Sequence, residues 1–512
     1  DFSCAFFDAE LRAVAQGFTQ PVHLGSMVEQ VPQAVRTYGP ENLGPGDVVV
    51  TNDPFPSGVH LNDVSLISPV FAGGALLGYV ANLAHHVDVG GGAPASIGAF
   101  REVFQEGVII PPVKLVAGGA IVEDVFRLIL AQIRSKHETG GDVRAQIAAN
   151  ATGARRLEAL VARHGQETIR QTMTELLDYT ERRTRSELAE LPHGVFEAEG
   201  RVDADGYSDR PVRLRARVEI GAAGVSFDLA GSDDQRRAPV NSTYAQTFSA
   251  CAYALKCLID PDLPANDGFY RLVKVEAPLG SVTNCTWPSP VVGGWETQTR
   301  LVDVIFRALL PVLPEVLPAG TKAMMCHAGF GGVDPVTNEY TCFLETFGGG
   351  YGGRAASDGP DAVQAHGQNT ENAPVEETEL NYPVRIDRLA LVEDSDGAGR
   401  FRGGLGLRKD FRFERPTTFT VLSDRVSAGP AGAFGGLDGR RAEYVLIRAG
   451  EETPLGAKAT VGLEAGDVVS YRTCGGGGYG PPEERDRELV ARDVCEGKVS
   501  AERAKELYAW RP

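Results

Sequence analysis

Residues 48–90 read VVVTNDPFPSGVHLNDVSLISPVFAGGALLGYVANLAHHVDVG, and this stretch decides how the first part of the chain folds. Its apolar runs VVVT, VSLISPVF and ALLGYVANLA have the length of strands and are separated by Gly, Pro, Asn and Asp clusters typical of turns. We therefore predict short strands joined by tight turns. His60, Asp63 and His85 then fall on loops at the strand ends, where functional side chains are common.

These three residues have the chemistry of a metal site. Two imidazoles and one carboxylate form a facial set that leaves coordination positions open, as catalytic zinc, manganese or iron sites require. Two predicted strands lie between Asp63 and His85. If the second strand runs back beside the first, His85 comes close to His60 and Asp63. The alternative is that polar turn residues lie near each other in sequence without binding an ion. His86 alternates with His85, so its side chain should point to the opposite face of the strand.

Two further carboxylates are candidates for proton transfer. Asp88 can hydrogen-bond a ligating imidazole and fix its tautomer, or it can cap its own loop. Glu106, in FQEGVIIPP, can face the same pocket as a catalytic base or stand in solvent. His23, in PVHLGSM, is interpreted as a histidine of the core or of a turn.

The rest of the chain divides by its sequence patterns. We predict an α+β fold with a β-rich, multi-layer architecture, a helical insertion around residues 121–190 and a Gly-rich β region at the C-terminal end. Further helices are predicted from Tyr244 to Leu258 and from Gln298 to Leu313. The predicted domains are an N-terminal metal-binding strand and loop region, a helical segment, a mixed β/α region and the Gly-rich β region, at 1–120, 121–192, 193–320 and 321–512.

Composition excludes several classes of protein. The 512 residues carry a net charge of −18, which argues against nucleic acid or an anionic membrane as a partner. The eight cysteines form no CxxC pair and no regular framework, so a reducing cytoplasm is the expected location. No apolar run approaches the roughly 20 residues that a membrane-spanning helix needs. The chain opens directly on the strand-like DFSCAFFDAE, from which we expect a preceding segment to be missing.

Characteristic segments follow one another along nearly the whole chain: DFSCAFFDAE, PVHLGSM, GDVVVTNDPFPSGVHLNDV, AHHVDVGG, FQEGVIIPPVKL, GDVRAQIAAN, GGWETQTR, DSDGAGRFRGGLGLR and GGGGYGPPEERD. In this order they resemble the hydantoinase B and oxoprolinase family, which includes a subunit of acetone and acetophenone carboxylases. The resemblance implies a heteromeric, ATP-dependent enzyme whose hydantoinase A type partner binds ATP and magnesium and phosphorylates the substrate carbonyl. It places the divalent metal of the B type subunit on His60, Asp63 and His85, with Asp1 as an additional acidic ligand.

Three functions are compatible with this resemblance. The first is the opening of a cyclic amide or imide, such as hydantoin, 5-oxoproline or a lactam, whose carbonyl phosphorylation has made electrophilic. The metal would then activate water or stabilise an oxyanion. The second is an ATP-dependent ketone carboxylase, and the ligand set does not separate it from the first, although the short chain favours hydrolysis. The third is a non-catalytic scaffold for the kinase-like partner, with a fully coordinated structural ion.

Overall fold

A seven-stranded sheet forms the N-terminal part of the chain, in a computed structural model that describes residues 2–17, 19–55 and 57–511. Its strands are β1 (Phe2–Asp8), β2 (Ala13–Gln16), β3 (Val48–Thr51), β4 (Asp63–Ala72), β5 (Ala75–His85), β6 (Val113–Ala117) and β7 (Ala120–Ile121). They lie in the order β2-β1-β5-β4-β3-β6-β7, and neighbouring strands run antiparallel. The three strands predicted within residues 48–90 are confirmed as β3, β4 and β5.

An 18-residue helix, α1 (Pro21–Tyr38), lies between β2 and β3, where we predicted only strands and turns. The sequence pattern was misleading because α1 is buried on most sides and therefore lacks the polar face of an amphipathic helix. Pro21 suits the first position of a helix. A Cβ atom on Gly25 would lie 2.4 Å from Ser249 Oγ, so glycine permits close packing on the helix that carries Ser249.

Three helices follow the first sheet: α2 (Glu123–Ala131), α3 (Lys136–His164) and α4 (Gln166–Glu190). They confirm the helical insertion predicted around residues 121–190. Gly165 joins the two long helices with a φ of 84°, a left-handed conformation that favours glycine. Helix α3 packs across β4, which begins at Asp63, and across β5, which ends at His85.

A second sheet and three helices form the next core. Its strands are β8 (Gly194–Val202), β9 (Val212–Gly221), β10 (Gly224–Asp228) and β11 (Val273–Glu276), and the helices are α5 (Tyr244–Lys256), α6 (Asp267–Tyr270) and α7 (Gly294–Leu309). Helix α5 agrees with its prediction. Helix α7 begins at Gly294 and not at Gln298, so Trp295 and Glu296 lie in its first turn. A carboxylate in the first turn interacts favourably with the helix dipole, which explains the earlier start.

Two sheets share one core in the Gly-rich region. One contains β12 (His327–Val333), β13 (Tyr340–Thr346), β16 (Thr417–Leu422) and β19 (Lys458–Leu463); the other contains β14 (Val384–Leu391), β15 (Leu407–Phe413), β17 (Glu443–Arg448), β18 (Glu451–Pro454) and β20 (Val468–Arg472). Phenylalanines from both sheets fill the core. The ring centroid of Phe330 lies 4.5 Å from that of Phe343 and 5.3 Å from that of Phe413. The predicted α+β class with a β-rich C-terminal region is confirmed.

The glycine-rich segments lie against one another through their backbones. The Gly350 amide donates to the Cys474 carbonyl at 2.9 Å, and the Gly476 amide donates to the Gly404 carbonyl at 2.9 Å. A Cβ atom on Gly350 would lie 2.1 Å from the Gly476 nitrogen. Glycine is therefore required because two backbones meet with no room for a side chain.

The remaining helices are short. They are α8 (Val375–Asn381), α9 (Arg487–Cys495) and α10 (Ala501–Tyr508), with 3₁₀ turns at Pro40–Asn42, Pro94–Ser96, Val103–Gln105 and Pro482–Glu484. Within the described ranges, every helix is too short or too polar to cross a lipid bilayer. The domain boundaries at 120, 192 and 320 stay predictions.

Candidate metal centre

Three side chains converge at one edge of the first sheet. His60 lies in the loop before β4, Asp63 is the first residue of β4, and His85 is the last residue of β5. Asp63 lies opposite His85 in the antiparallel pairing of these strands, so the strand register brings the two residues together. One potential ligand atom from each of the three residues lies within 4.8 Å of the other two. The predicted meeting of strand ends is confirmed.

The polar atoms of this group lack the partners that burial normally requires. His60 is 1% exposed and Asp63 is 0% exposed. Both ring nitrogens of His60 and both oxygens of Asp63 are enclosed without a hydrogen-bond partner among the described residues. Buried polar atoms are nearly always partnered, so such a set calls for an explanation. A divalent cation ligated by His60, Asp63 and His85 would satisfy these atoms, and the residues therefore fit a metal ion.

Electrostatics also favour a cation. Burial lowers the pKa of His85 well below its usual value, and the nearby His60 lowers it further. Burial alone would raise the pKa of Asp63, but the imidazoles of His60 and His23 outweigh burial and hold this pKa below its usual value. His60 Nε2 lies 3.2 Å from Asp63 Oδ2. The group thus offers a neutral imidazole at His85 and an ionised carboxylate at Asp63, which are the protonation states that bind metal ions.

His23 reaches this group from α1. Its Nε2 lies 3.5 Å from Asp63 Oδ1, and its Nδ1 lies 3.5 Å from Ser3 Oγ. Burial lowers the pKa of His23 to about 4, so the imidazole is neutral near pH 7. The sequence correctly indicated a buried histidine but missed its contact with Asp63. Because α1 was not predicted, no sequence signal directed His23 toward the strand ends.

A cavity of about 290 Å³ opens beside the group. His23, His85 and Trp295 line one side, and His327 and Glu345 from the Gly-rich region line the other. Trp295 is 2% exposed, and its ring meets that of His60 edge to face, with 5.5 Å between centroids. The indole therefore fills core space and also forms part of the cavity wall. The volume suits a small ring molecule.

His86 points away from the group, as its position next to His85 predicted. Its Nε2 lies 3.0 Å from Gln146 Oε1 on α3. Gln146 Nε2 donates to the Val64 carbonyl at 2.9 Å and to Asn82 Oδ1 at 2.8 Å. Asn82 Nδ2 in turn donates to Asn150 Oδ1 at 2.7 Å. This buried network fixes α3 onto the two strands that carry the candidate ligands.

Asp88 holds a loop together. Its Oδ1 accepts from the amides of Gly90 and Arg134 at 3.0 Å each, and its Oδ2 accepts from Arg134 Nη1 at 2.9 Å. Arg134 Nη1 also donates to the Gly90 and Ala93 carbonyls, at 2.9 and 3.1 Å. Asp88 makes no hydrogen bond to an imidazole in the described part of the chain, and it does not line the cavity. Its surroundings match the loop-capping alternative.

Glu106 is buried, but away from the cavity. Its Oε1 accepts from the amides of Val291 and Val292 at 2.7 and 2.9 Å, just before α7. Burial raises the pKa of Glu106 to about 8, although these two amides act in the opposite direction. Glu106 thus braces the segment that leads to Trp295. Its predicted role as a base has no contact with the cavity to support it.

Asp1, the further ligand implied by the resemblance, lies outside the described residues. The adjacent Phe2 belongs to β1 and pairs with Ala84, the residue before His85.

Sequence relatives identify the family of this α+β chain. The family described as hydantoinase B/oxoprolinase matches residues 1–482, and the chain belongs to that family. 5-oxoprolinase 1 of Arabidopsis thaliana is 33% identical over 506 residues, which cover 94% of this chain and 39% of that protein. Caprolactamase subunit beta of Pseudomonas jessenii is 32% identical over 531 residues, which cover 99% of this chain and 89% of that subunit.

Solved structures have the same fold. The ATP-dependent caprolactamase from Pseudomonas jessenii matches with a TM-score of 0.91 and 29% identity, over 99% of this chain and 90% of that one. A nucleotide-free acetone carboxylase matches with a TM-score of 0.91 and 18% identity, over 99% of this chain and 74% of that one. The chain spans less than half the length of the 5-oxoprolinase but most of the caprolactamase subunit. The family resemblance found in the sequence is confirmed.

Proposed function

We propose that this chain is the metal-bearing subunit of a heteromeric, ATP-dependent amidohydrolase that opens a cyclic amide or imide. The observation that carries the proposal is the buried group of His60, Asp63 and His85, whose unpartnered atoms face one another beside a small cavity. The relatives support this reaction class, because 5-oxoproline and caprolactam are both lactams.

Each side chain of the group has a role in this proposal. His60, Asp63 and His85 hold a divalent ion, for which zinc, manganese and iron all suit the ligand types. Such an ion acts as a Lewis acid toward a carbonyl or phosphoryl oxygen. His23 contacts Asp63 and fixes the orientation of its carboxylate. Trp295 covers His60 and keeps water away from that side of the ligand set.

Activation of the amide is assigned to a hydantoinase A type partner, which binds ATP and magnesium in a shared cytoplasmic complex. Phosphorylation of the carbonyl oxygen removes electron donation from nitrogen and supplies a leaving group. The glycine-rich segments of this chain contact one another, which supports placing ATP in the partner. The name caprolactamase subunit beta supports a heteromeric complex. We expect no ATPase activity from the isolated chain, and robust ATP hydrolysis by it would contradict this division of roles.

Hydrolysis is preferred over carboxylation. Identity to the caprolactamase subunit is 32%, whereas identity to the acetone carboxylase is 18% and supports only the fold. A direct assay reconstitutes the complex and follows ring opening with and without bicarbonate. Ring opening that is independent of bicarbonate is the expected result. Carboxylation of a ketone without ring opening would refute the hydrolase assignment in favour of the carboxylase.

Elemental analysis of the purified chain tests the metal site. We expect about one divalent ion per chain in the wild type and none in His60→Ala or His85→Ala. His164→Ala is the matched control, since it changes an exposed histidine of α3, and it should keep the ion. Circular dichroism of each variant checks that the fold is retained. A metal-free wild type from metal-replete growth, both alone and in the complex, would refute the proposal.

A further inference from the structure

Glu296 and His327 form a second polar pair at the cavity, separate from the candidate ligands. Glu296 lies in the first turn of α7, and its Oε2 accepts from the Met325 amide at 3.0 Å. Its Oε1 lies 3.7 Å from Nδ1 of His327, the first residue of β12. Both of these facing atoms are enclosed and lack a hydrogen-bond partner within the described ranges. Two complementary buried atoms left facing each other call for a functional explanation.

The pair is held rigidly from both sides. The Met325 amide fixes the Glu296 carboxylate, and the Tyr471 hydroxyl donates to the His327 carbonyl at 3.0 Å. His327 is 2% exposed, yet it lines the cavity. Since Nδ1 faces Glu296, Nε2 is the ring nitrogen directed to the cavity. Trp295, next to Glu296 in the chain, contacts His60. These two neighbouring residues therefore connect the polar pair with the candidate metal ligands.

Other charged groups nearby are already paired or lie at the cavity mouth. Glu345 on β13 lies 2.8 Å from Lys409, and both side chains are buried. Glu371 is exposed at the rim of the cavity. Among the described residues, Glu296 is therefore the carboxylate that can hold His327 in one tautomer.

We propose that His327 is the proton-transfer residue of the cavity and that Glu296 is its positioning residue. The arrangement is that of a general base oriented by a carboxylate through its other ring nitrogen. A separation of 3.7 Å is compatible with this role, because catalytic hydrogen bonds tighten when a substrate fills the site. The inference rests on the proposed ring-opening function and adds the group that moves the proton.

In the phosphorylated ring the activated carbon is doubly bonded to nitrogen, and the oxygen of a water molecule bonds to that carbon. His327 Nε2 takes one water proton and passes it to nitrogen, which also receives the π electron pair. The second water proton follows when the carbon–nitrogen bond breaks with its electron pair on nitrogen. The water oxygen remains as the carbonyl of a ring-opened acyl phosphate, which a second water hydrolyses to release phosphate.

Nitrogen NMR of the isolated, zinc-loaded chain tests the pair without a partner or substrate. We expect neutral His327 to carry its proton on Nδ1, and we expect Glu296→Gln to increase the fraction of rings protonated on Nε2, since a neutral amide accepts the Nδ1 proton less strongly than a carboxylate does. His164→Gln, at an exposed position on α3, should leave the His327 signals unchanged. A proton on Nε2 in the wild type, or tautomer populations that Glu296→Gln does not change, would overturn the pairing.

Turnover by the reconstituted complex tests the catalytic role. His327→Gln should lower kcat by about 100-fold or more with the metal content unchanged. Glu296→Gln should lower kcat with little change in KM, because the imidazole of His327 is then less firmly oriented. Full activity of His327→Gln, or loss of its metal, would overturn this inference alone. Retained activity in metal-free His60→Ala would instead refute the proposed function, and the NMR result would still decide the pairing.

Discussion

Gln146→Ala should loosen the two strands that carry the candidate ligands. Gln146 is 6% exposed on α3, and its side chain contacts Val64, Asn82 and His86 at 2.8 to 3.0 Å. Truncation removes these three hydrogen bonds, each worth about 1 kcal/mol net. It also leaves the His86 ring without its partner, because His86 Nδ1 already lacks one among the described residues. We expect the opening free energy of β4 and β5 to fall by about 3 kcal/mol.

Native-state hydrogen exchange measures this effect. Since 1.4 kcal/mol corresponds to a factor of ten, the amides of β4 and β5 should exchange about 100-fold faster in Gln146→Ala. Metal affinity should fall about tenfold, because the strand ends that place Asp63 and His85 are less firmly held. Gln171→Ala on α4 is the matched control, since Gln171 is exposed and bonds Glu175 on its own helix, at 2.7 Å. Equal exchange in the two variants would refute the idea that the network fixes the strands.

Three further changes have definite expected outcomes. Because the pKa of Glu106 is raised to about 8 in the folded chain, wild-type stability should fall by roughly 1.4 kcal/mol per pH unit between about pH 4.5 and 8. Glu106→Gln should remove this dependence in denaturation curves recorded across that range, and an unchanged slope would show that Glu106 is not its source. Lys409→Met leaves Glu345 buried without its cation, so the free energy of unfolding should drop by about 3 to 5 kcal/mol. Adding Glu345→Gln should restore much of this loss, as measured by thermal denaturation. No Lys or Arg lines the cavity among the described residues, so a neutral lactam should be turned over with a kcat/KM at least about tenfold above that of 5-oxoproline, which carries a carboxylate. A preference for the acid would contradict the charge argument.

Local patterns carried most of what the sequence predicted. The apolar runs of β3, β4 and β5 are short, regular and bounded by turn residues, so their positions could be predicted without tertiary information. His60, Asp63 and His85 could be grouped because two of them end strands that pair directly with each other. The strand register then determines their proximity.

The rest depended on contacts between distant parts of the chain. His23 joins Asp63 through α1, whose burial on most sides hides the helical period. From its sequence position, Asp88 could have been a catalytic carboxylate. Its role in the loop becomes clear from its contact with Arg134, which is distant in sequence. Asn150 lies within α3 and bonds to Asn82 on β5. Nothing near these residues in sequence indicates their partners.

The cavity draws its walls from two hydrophobic cores. His23 and His85 come from the first sheet and its helix, whereas His327 and Glu345 come from a sheet of the Gly-rich region. A molecule that fills this space contacts residues of both cores and links the two cores non-covalently. Its binding energy should therefore slow their separation, and protection from proteases should rise in both parts of the chain at the same ligand concentration. A fragment that ends before β12 would keep the candidate ligands but lose the chamber in which a substrate is held.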